Sequence, residues 1–214
     1  MGDLCTSGSS PLSYQQLSKL VEARLDIGSM ARRLAVGKVV LVLDPHRRVW
    51  TEDEDESLGS CGFFSPDDFE LRVAIGYKQW PLILLHEYAH FLQWRAGCKA
   101  WLNAKDDSAF WSWIQGKRVN RERAWAATRA LFMCERDAER RTIKLLGKMF
   151  ADLGLIDVAS YIKRANAYLA SYPTMTKQRR WYKVPPYQSK KLLVNMPGDR
   201  LINWREACRH SEIA

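Results

Sequence analysis

The chain has 214 residues, 47% of them hydrophobic, with nine Trp and a formal net charge of +9. That apolar content argues against a disordered chain, the length allows one sizeable core, and no uncharged apolar run reaches the roughly 18 residues that a membrane-spanning helix needs. The charge is uneven: residues 1–110 hold 12 Lys and Arg against 15 Asp and Glu, whereas residues 111–214 hold 21 against 9. A basic second half invites nucleic acid or an acidic protein as partner, or serves solubility alone.

The opening MGDLCTSGSSPLSY has no basic stretch followed by an apolar one, so no secretory leader is expected. Cys5, Cys61, Cys98, Cys134 and Cys208 are odd in number and form no CxxC pair. A disulfide framework or thiolate metal site is therefore not expected, and a reducing cytoplasm fits best.

Residues 12–35 read as a helix, because Tyr14, Leu17, Val21 and Leu25 recur at three- and four-residue steps. KVVLVLDP (38–45) reads as a buried strand, and the acidic, turn-rich TEDEDESLGSCGFFSPDD as a surface loop. In ELRVAIG (70–76), Leu71, Val73 and Ile75 alternate with Arg72 and Ala74, the pattern of a half-buried strand. Pro81 suits a helix start and Gly97 its end, which places HEYAH (86–90) inside one helix. Residues 98–120 suggest a short surface helix or lid. A long helix is expected from about Arg121 to Phe150, with Trp125, Thr128, Leu131, Met133, Ile143, Leu146 and Phe150 inside. A further helix is expected over 156–170, stopped before Pro173, and then an extended, proline-punctuated basic arm. The stripe Trp94, Trp101, Trp111 and Trp113 reads as core. The fold class is α+β, mainly helical, with a small sheet packed on the HEYAH helix.

WPLILLHEYAHFLQW leaves no wide polar stripe, so its helix belongs in the interior. Burying His86, Glu87 and His90 without partners costs on the order of several kcal/mol each. Positions i and i+4 share a helix face, so both imidazoles can address one point, with Glu87 about 100° round bordering it. One zinc ion held by His86 and His90, with Glu87 reaching its water, satisfies all three side chains. Such a match arises by chance in about one chain in 250 of this composition, so context has to decide. A helix-compatible window with a strand just before it is the right context.

Catalytic zinc needs a third protein ligand and an open position. Only His46 and His210 remain as histidines. In FMCERDAERRTIKLL, Glu135 and Glu139 are one helical turn apart: Glu135 is the favoured ligand, with Asp137 or Glu139 as alternatives, and Glu139 can accept a hydrogen bond from the far nitrogen of a ligating imidazole.

HEYAH with a downstream ERDAE on a second helix resembles the gluzincin metallopeptidases, the thermolysin-like branch of the zincins, where a Glu-x-x-x-Asp pair supplies the third ligand and its neighbour; here Glu139 stands in place of the Asp. The layout is also similar to minimal zincins of the ImmA/IrrE type and to short metallopeptidases of bacteria and their phages. Glu135 and Ala138 match the second motif of the ImmA/IrrE type; Glu139, Arg141 and Thr142 depart from it. The resemblance implies a zincin-like metallopeptidase domain over residues 1–172, with 173–214 as an arm packed on it. It also implies a peptide or protein substrate and Glu87 as general base then acid. An edge strand beside the active-site helix, resembled by 71–76, would hold the substrate. Tyr77, Tyr182 and Tyr187 are candidate donors to the oxyanion. In TKQRRWYKVPPYQSKK, the residues Lys177, Arg179, Arg180, Trp181 and Lys183 combine charge with stacking surface, as single-stranded nucleic acid requires.

Overall fold

The computed structural model describes residues 12–49, 59–153, 158–180 and 189–211. Within them the fold is mainly helical α+β, with helices gathered around a three-stranded sheet of order β1-β3-β2.

The expected first helix is two. α1 (Tyr14–Arg24) buries Leu17 and Val21 and starts with a capping box from Ser13 and Gln16. It ends at Leu25, and Asp26 caps α2 (Ile27–Val36) through the Ser29 amide. A second cap in the middle of a continuous apolar period breaks the helix without disturbing the burial pattern.

β1 (Val40–Asp44) pairs in parallel with β3 (Glu70–Ala74), and β2 (Gly62–Ser65) pairs antiparallel on the other side of β3. β3 buries Leu71 and Val73 and leaves Arg72 half-buried, as alternation predicts, but the pattern ends there: Ala74 is buried and Ile75 is 38% exposed, and β3 is the central strand. A substrate therefore cannot pair along 71–76. β1, expected to be buried, is an outer strand with Val40 61% exposed. β2 falls within a stretch expected to be loop. Residues 51–58 of that stretch lie outside the described residues.

α3 (Trp80–Arg95) crosses beneath the sheet, contacting β2 and β3. Pro81 lies in its first turn. At its end Gly97 takes φ 55°, donating to the Trp94 carbonyl while Cys98 donates to that of Gln93. This left-handed closure favours glycine. Residues 98–120 fold as two short helices, α4 (Lys99–Ala104) and α5 (Ser108–Ile114). α6 (Arg121–Met149) spans 29 residues and packs on α3, α4, α5 and α7. Met133, expected inside it, is 43% exposed; its neighbour Phe132 is buried.

α7 (Ala159–Gln178) runs through Pro173 instead of stopping before it. An interior proline costs about 3 kcal/mol, yet Tyr172, Pro173, Thr174, Met175 and Thr176 are all buried here. The hydroxyl groups of Ser171 and Thr174 donate to the carbonyls of Tyr168 and Ala170 inside this stretch. Burial against α5 and α6 outweighs the local penalty. The division expected at residue 172 thus falls within a helix. The arm expected beyond it is partly helical, since α8 (Lys190–Val194) and α9 (Trp204–His210) pack back on α7. No helix of the described residues is long and apolar enough to cross a membrane, and Cys61, Cys98, Cys134 and Cys208 are free thiols.

Candidate metal centre

α3 is apolar on nearly every side, and its polar trio is buried with it: His86 and Glu87 are each 9% exposed and His90 8%. The i and i+4 imidazoles share the face that α6 crosses, where Glu135 is presented. Three atoms meet there. His86 Nε2 lies 3.2 Å from His90 Nε2, and Glu135 Oε2 lies 3.3 Å from the first and 3.4 Å from the second. Glu135 Oε2 is buried, and no N–H is aligned on it. Tetrahedral coordination with ligand bonds of about 2.0–2.1 Å sets ligand–ligand edges of about 3.3 Å. The observed triangle has edges close to those, and one of its corners is a buried carboxylate oxygen with no aligned hydrogen-bond donor. Among the described residues this is the group of His, Cys, Asp and Glu atoms close enough to hold a metal ion.

Each corner of the triangle has a supporting contact behind it. Glu139 Oε1 sits 3.2 Å from His86 Nδ1, at ion-pair distance though off the N–H line, and Tyr161 of α7 donates to the other Glu139 oxygen. Gln93 Oε1 lies 2.8 Å from His90 Nδ1. Tyr172 donates to Glu135 Oε1 at 3.1 Å, and the Tyr168 and Tyr172 hydroxyls are 2.9 Å apart. A carboxylate only accepts, so Tyr172 spends its proton on Glu135 and accepts from Tyr168. Around the rim, the rings of Tyr168 and Trp101 stand 5.9 Å from those of His86 and His90 respectively.

Burial sets the electrostatics. It pushes the Glu87 carboxyl upward against the pull of the two imidazoles, leaving it above the ordinary carboxylate range. Burial acts the same way on Glu135, but there the neighbouring His90 and His86 win and hold the acid well below its usual range. Both imidazoles are drawn down by burial and pushed further up by carboxylates, Glu139 foremost for His86 and Glu135 for His90. The phenols of Tyr161, Tyr168 and Tyr172 are raised well above normal by burial, so they remain protonated donors.

β2 runs close over α3 at this point. A Cβ added at Gly62 would stand 2.7 Å from Ile83 Cγ2 and 3.3 Å from Glu87 Cγ. Glycine is what lets the strand come so near. Within the described residues β2 pairs only with β3, which puts an outer strand beside Glu87.

His86, Glu87, His90, Glu135 and Glu139 are thus brought together. Asp137 is not with them: it binds Gln93, Arg140 and Arg141. Tyr77 lies in the turn before α3, where its hydroxyl accepts from Arg164. Arg179 stacks over Trp113 at 4.1 Å and donates to the Gly116 and Lys117 carbonyls, while Lys177 and Arg180 are exposed. Trp181, Tyr182, Lys183 and Tyr187 lie outside the described residues. Of the tryptophan stripe, Trp94 packs on Phe64 and Phe91, Trp101 faces the site, and Trp111 is 38% exposed.

Sequence reasoning missed Gln93, Tyr161, Tyr168 and Tyr172. Helical spacing carried a signal for each: Gln93 follows His90 by three, and the tyrosines follow one another by seven and four. A scan against models of known protein families, a search of curated proteins and a search of solved structures each returned no match.

Proposed function

We propose that this chain is a zinc-dependent peptidase of the minimal zincin type, with His86, His90 and Glu135 as metal ligands and Glu87 as general base. One observation carries the reading: the triangle of edges 3.2, 3.3 and 3.4 Å among His86 Nε2, His90 Nε2 and Glu135 Oε2, one of its atoms buried and unpartnered. Two imidazoles and one carboxylate suit zinc with a fourth position open. When bound, zinc lowers the pKa of water toward about 7 and polarises a carbonyl.

The remaining work falls to the chain. Glu87, buried and raised above the ordinary carboxylate range, takes the proton of the attacking water and returns it to the departing amine nitrogen. An extended peptide pairs its main chain with the outer edge of β2, which runs past Glu87. Trp101 and Tyr168 flank the ligating imidazoles and narrow the access of solvent. The substrate class is peptide or protein, and the cytoplasm is the proposed compartment.

A second reading rests on the basic surface. Arg179 ties the end of α7 to the α5–α6 connection, gathering Lys117, Arg118 and Arg121 near Lys177 and Arg180, all exposed. That surface suits nucleic acid or an acidic protein around a non-catalytic zinc-stabilised module.

Metal analysis and turnover separate the two. Wild type should carry about one zinc per chain, lost in both His86→Ala and Glu135→Ala. Glu87→Gln should keep its zinc and lose at least roughly 10²–10⁴-fold in kcat/KM, the usual contribution of acid–base catalysis. A Glu87→Gln protein that matches wild type on every peptide offered removes the peptidase assignment. Zinc retained by the Ala variants removes the ligand set.

A further inference from the structure

Gln93 follows His90 by one helical turn on α3, and its side chain is fully buried. All four of its hydrogen-bonding positions are occupied. Its Nε2 donates to the Cys134 carbonyl at 2.8 Å and to Asp137 Oδ2 at 3.0 Å, both on α6. Its Oε1 faces His90 Nδ1 at 2.8 Å and accepts weakly from Cys134 Sγ at 3.6 Å. A carbonyl and a carboxylate paired with two arginines only accept. The amide therefore has one orientation: turning it over would set oxygen against both acceptors and an N–H₂ against the imidazole.

From this we infer that Gln93 is a positioning residue for the metal, fixing His90 in the tautomer that carries its proton on Nδ1. The inference rests on the metal reading above and deepens it. An amide oxygen cannot donate, so the bond at Nδ1 requires N–H there and leaves the lone pair on Nε2, the atom 3.2 Å from His86 Nε2 and 3.4 Å from Glu135 Oε2. Cys134 and Asp137 flank Glu135 in the same turn of α6. The groups that orient Gln93 thus ride with the third ligand, and Gln93 sets the imidazole and the carboxylate in register. His86 has a carboxylate, Glu139, at ion-pair distance from its Nδ1 instead of an aligned hydrogen bond. A neutral amide on one ligand and an anion on the other keep the buried negative charge low around a divalent ion.

Two variants and one spectrum test this. Zn²⁺ affinity is measured by competition with a chromophoric chelator for wild type, Gln93→Leu and Gln93→Glu with Asp137→Asn, each checked by circular dichroism in the zinc-free state. Gln93→Leu keeps the shape and removes the acceptor, so it should weaken zinc binding by about 10- to 100-fold. Gln93→Glu restores an acceptor for Nδ1 and, made together with Asp137→Asn so that its second oxygen has a donor in place of a carboxylate, should recover part of that loss. In zinc-loaded wild type, long-range ¹H–¹⁵N spectra should place the His90 proton on Nδ1.

Equal affinity of Gln93→Leu and wild type overturns the inference. So does an equal loss in the Leu and Glu variants, which would assign Gln93 to packing, and so does a proton on Nε2. A wild-type chain that takes up no zinc is a different outcome, because it removes the metal reading itself.

Discussion

The two oxygens of Glu135 have different surroundings. One accepts from Tyr172 at 3.1 Å, and the other is left bare between two imidazole nitrogens. The phenol thereby decides which oxygen would face the proposed ion. Tyr172→Phe removes that choice without opening a cavity, and zinc affinity should fall by on the order of 10-fold, the scale of outer contacts on metal ligands. An unchanged affinity in competition titration would mean that α6 alone aims the carboxylate. That the proposed ligands come together was legible in the sequence, because HEYAH and the pair Glu135/Glu139 have helical spacings that dictate a shared face. Of the layer behind them only Glu139 was read. An amide or a phenol has no fixed role until a second helix supplies its partner, and those partners are 41 and 37 residues away for Gln93 and Tyr172 respectively.

At the scale of elements, the approach of β2 to α3 depends on the absence of a side chain at Gly62. Gly62→Ala sets a methyl group 2.7 Å from Ile83 Cγ2 and 3.1 Å from the Arg72 carbonyl, so strand or helix must shift. Overpacking of this kind costs roughly 1–3 kcal/mol. Because Glu87 Cγ is the next nearest atom at 3.3 Å, the variant should lose kcat/KM as well as thermal stability, both measurable on one preparation. Loss of stability with full activity would separate the strand from the chemistry. β2 escaped sequence reading because four strand residues sit among turn formers and acids. The last turns of α7 escaped because proline was taken as a stop; local preference at Pro173 yields to the burial of the residues on either side of it. The strand periodicity of β3 was plain, but its central place was not, since order in a sheet is a long-range property.

For the molecule as a whole, the proposed ion joins two elements far apart in sequence. In that proposal α3 supplies two ligands, and α6 supplies the third, 45 residues after His90. An ion bound only by the folded chain stabilises it by mass action, about 2.7 kcal/mol when free zinc exceeds Kd by 100-fold. For a chain of this size each kcal/mol moves Tm by about 2–4 °C. Zinc-loaded protein should therefore melt on the order of 5–10 °C above the same protein in excess chelator, and Glu135→Ala should abolish the difference. Coincident melting curves with and without chelator would rule out a bridging ion. The mainly helical α+β class followed from composition and periodicity. The division expected at residue 172 falls inside α7, and Phe132 of α6 and Leu169 of α7 share one cluster with Leu192, Met196, Ile202 and Ala207 of the segment that follows it.

The closure of α3 at Gly97 has a final consequence. Between His90 and that glycine the chain has no slack: Gln93 contributes its amide to the imidazole and its carbonyl to the Cys98 N–H. Inserting or deleting one residue there would swing every later side chain by about 100° and strand the amide on the wrong side of the helix. HEYAHFLQWRAGC is consequently a segment of invariant length, and any tolerance for added or missing residues belongs to the connections on either side of α4 and α5.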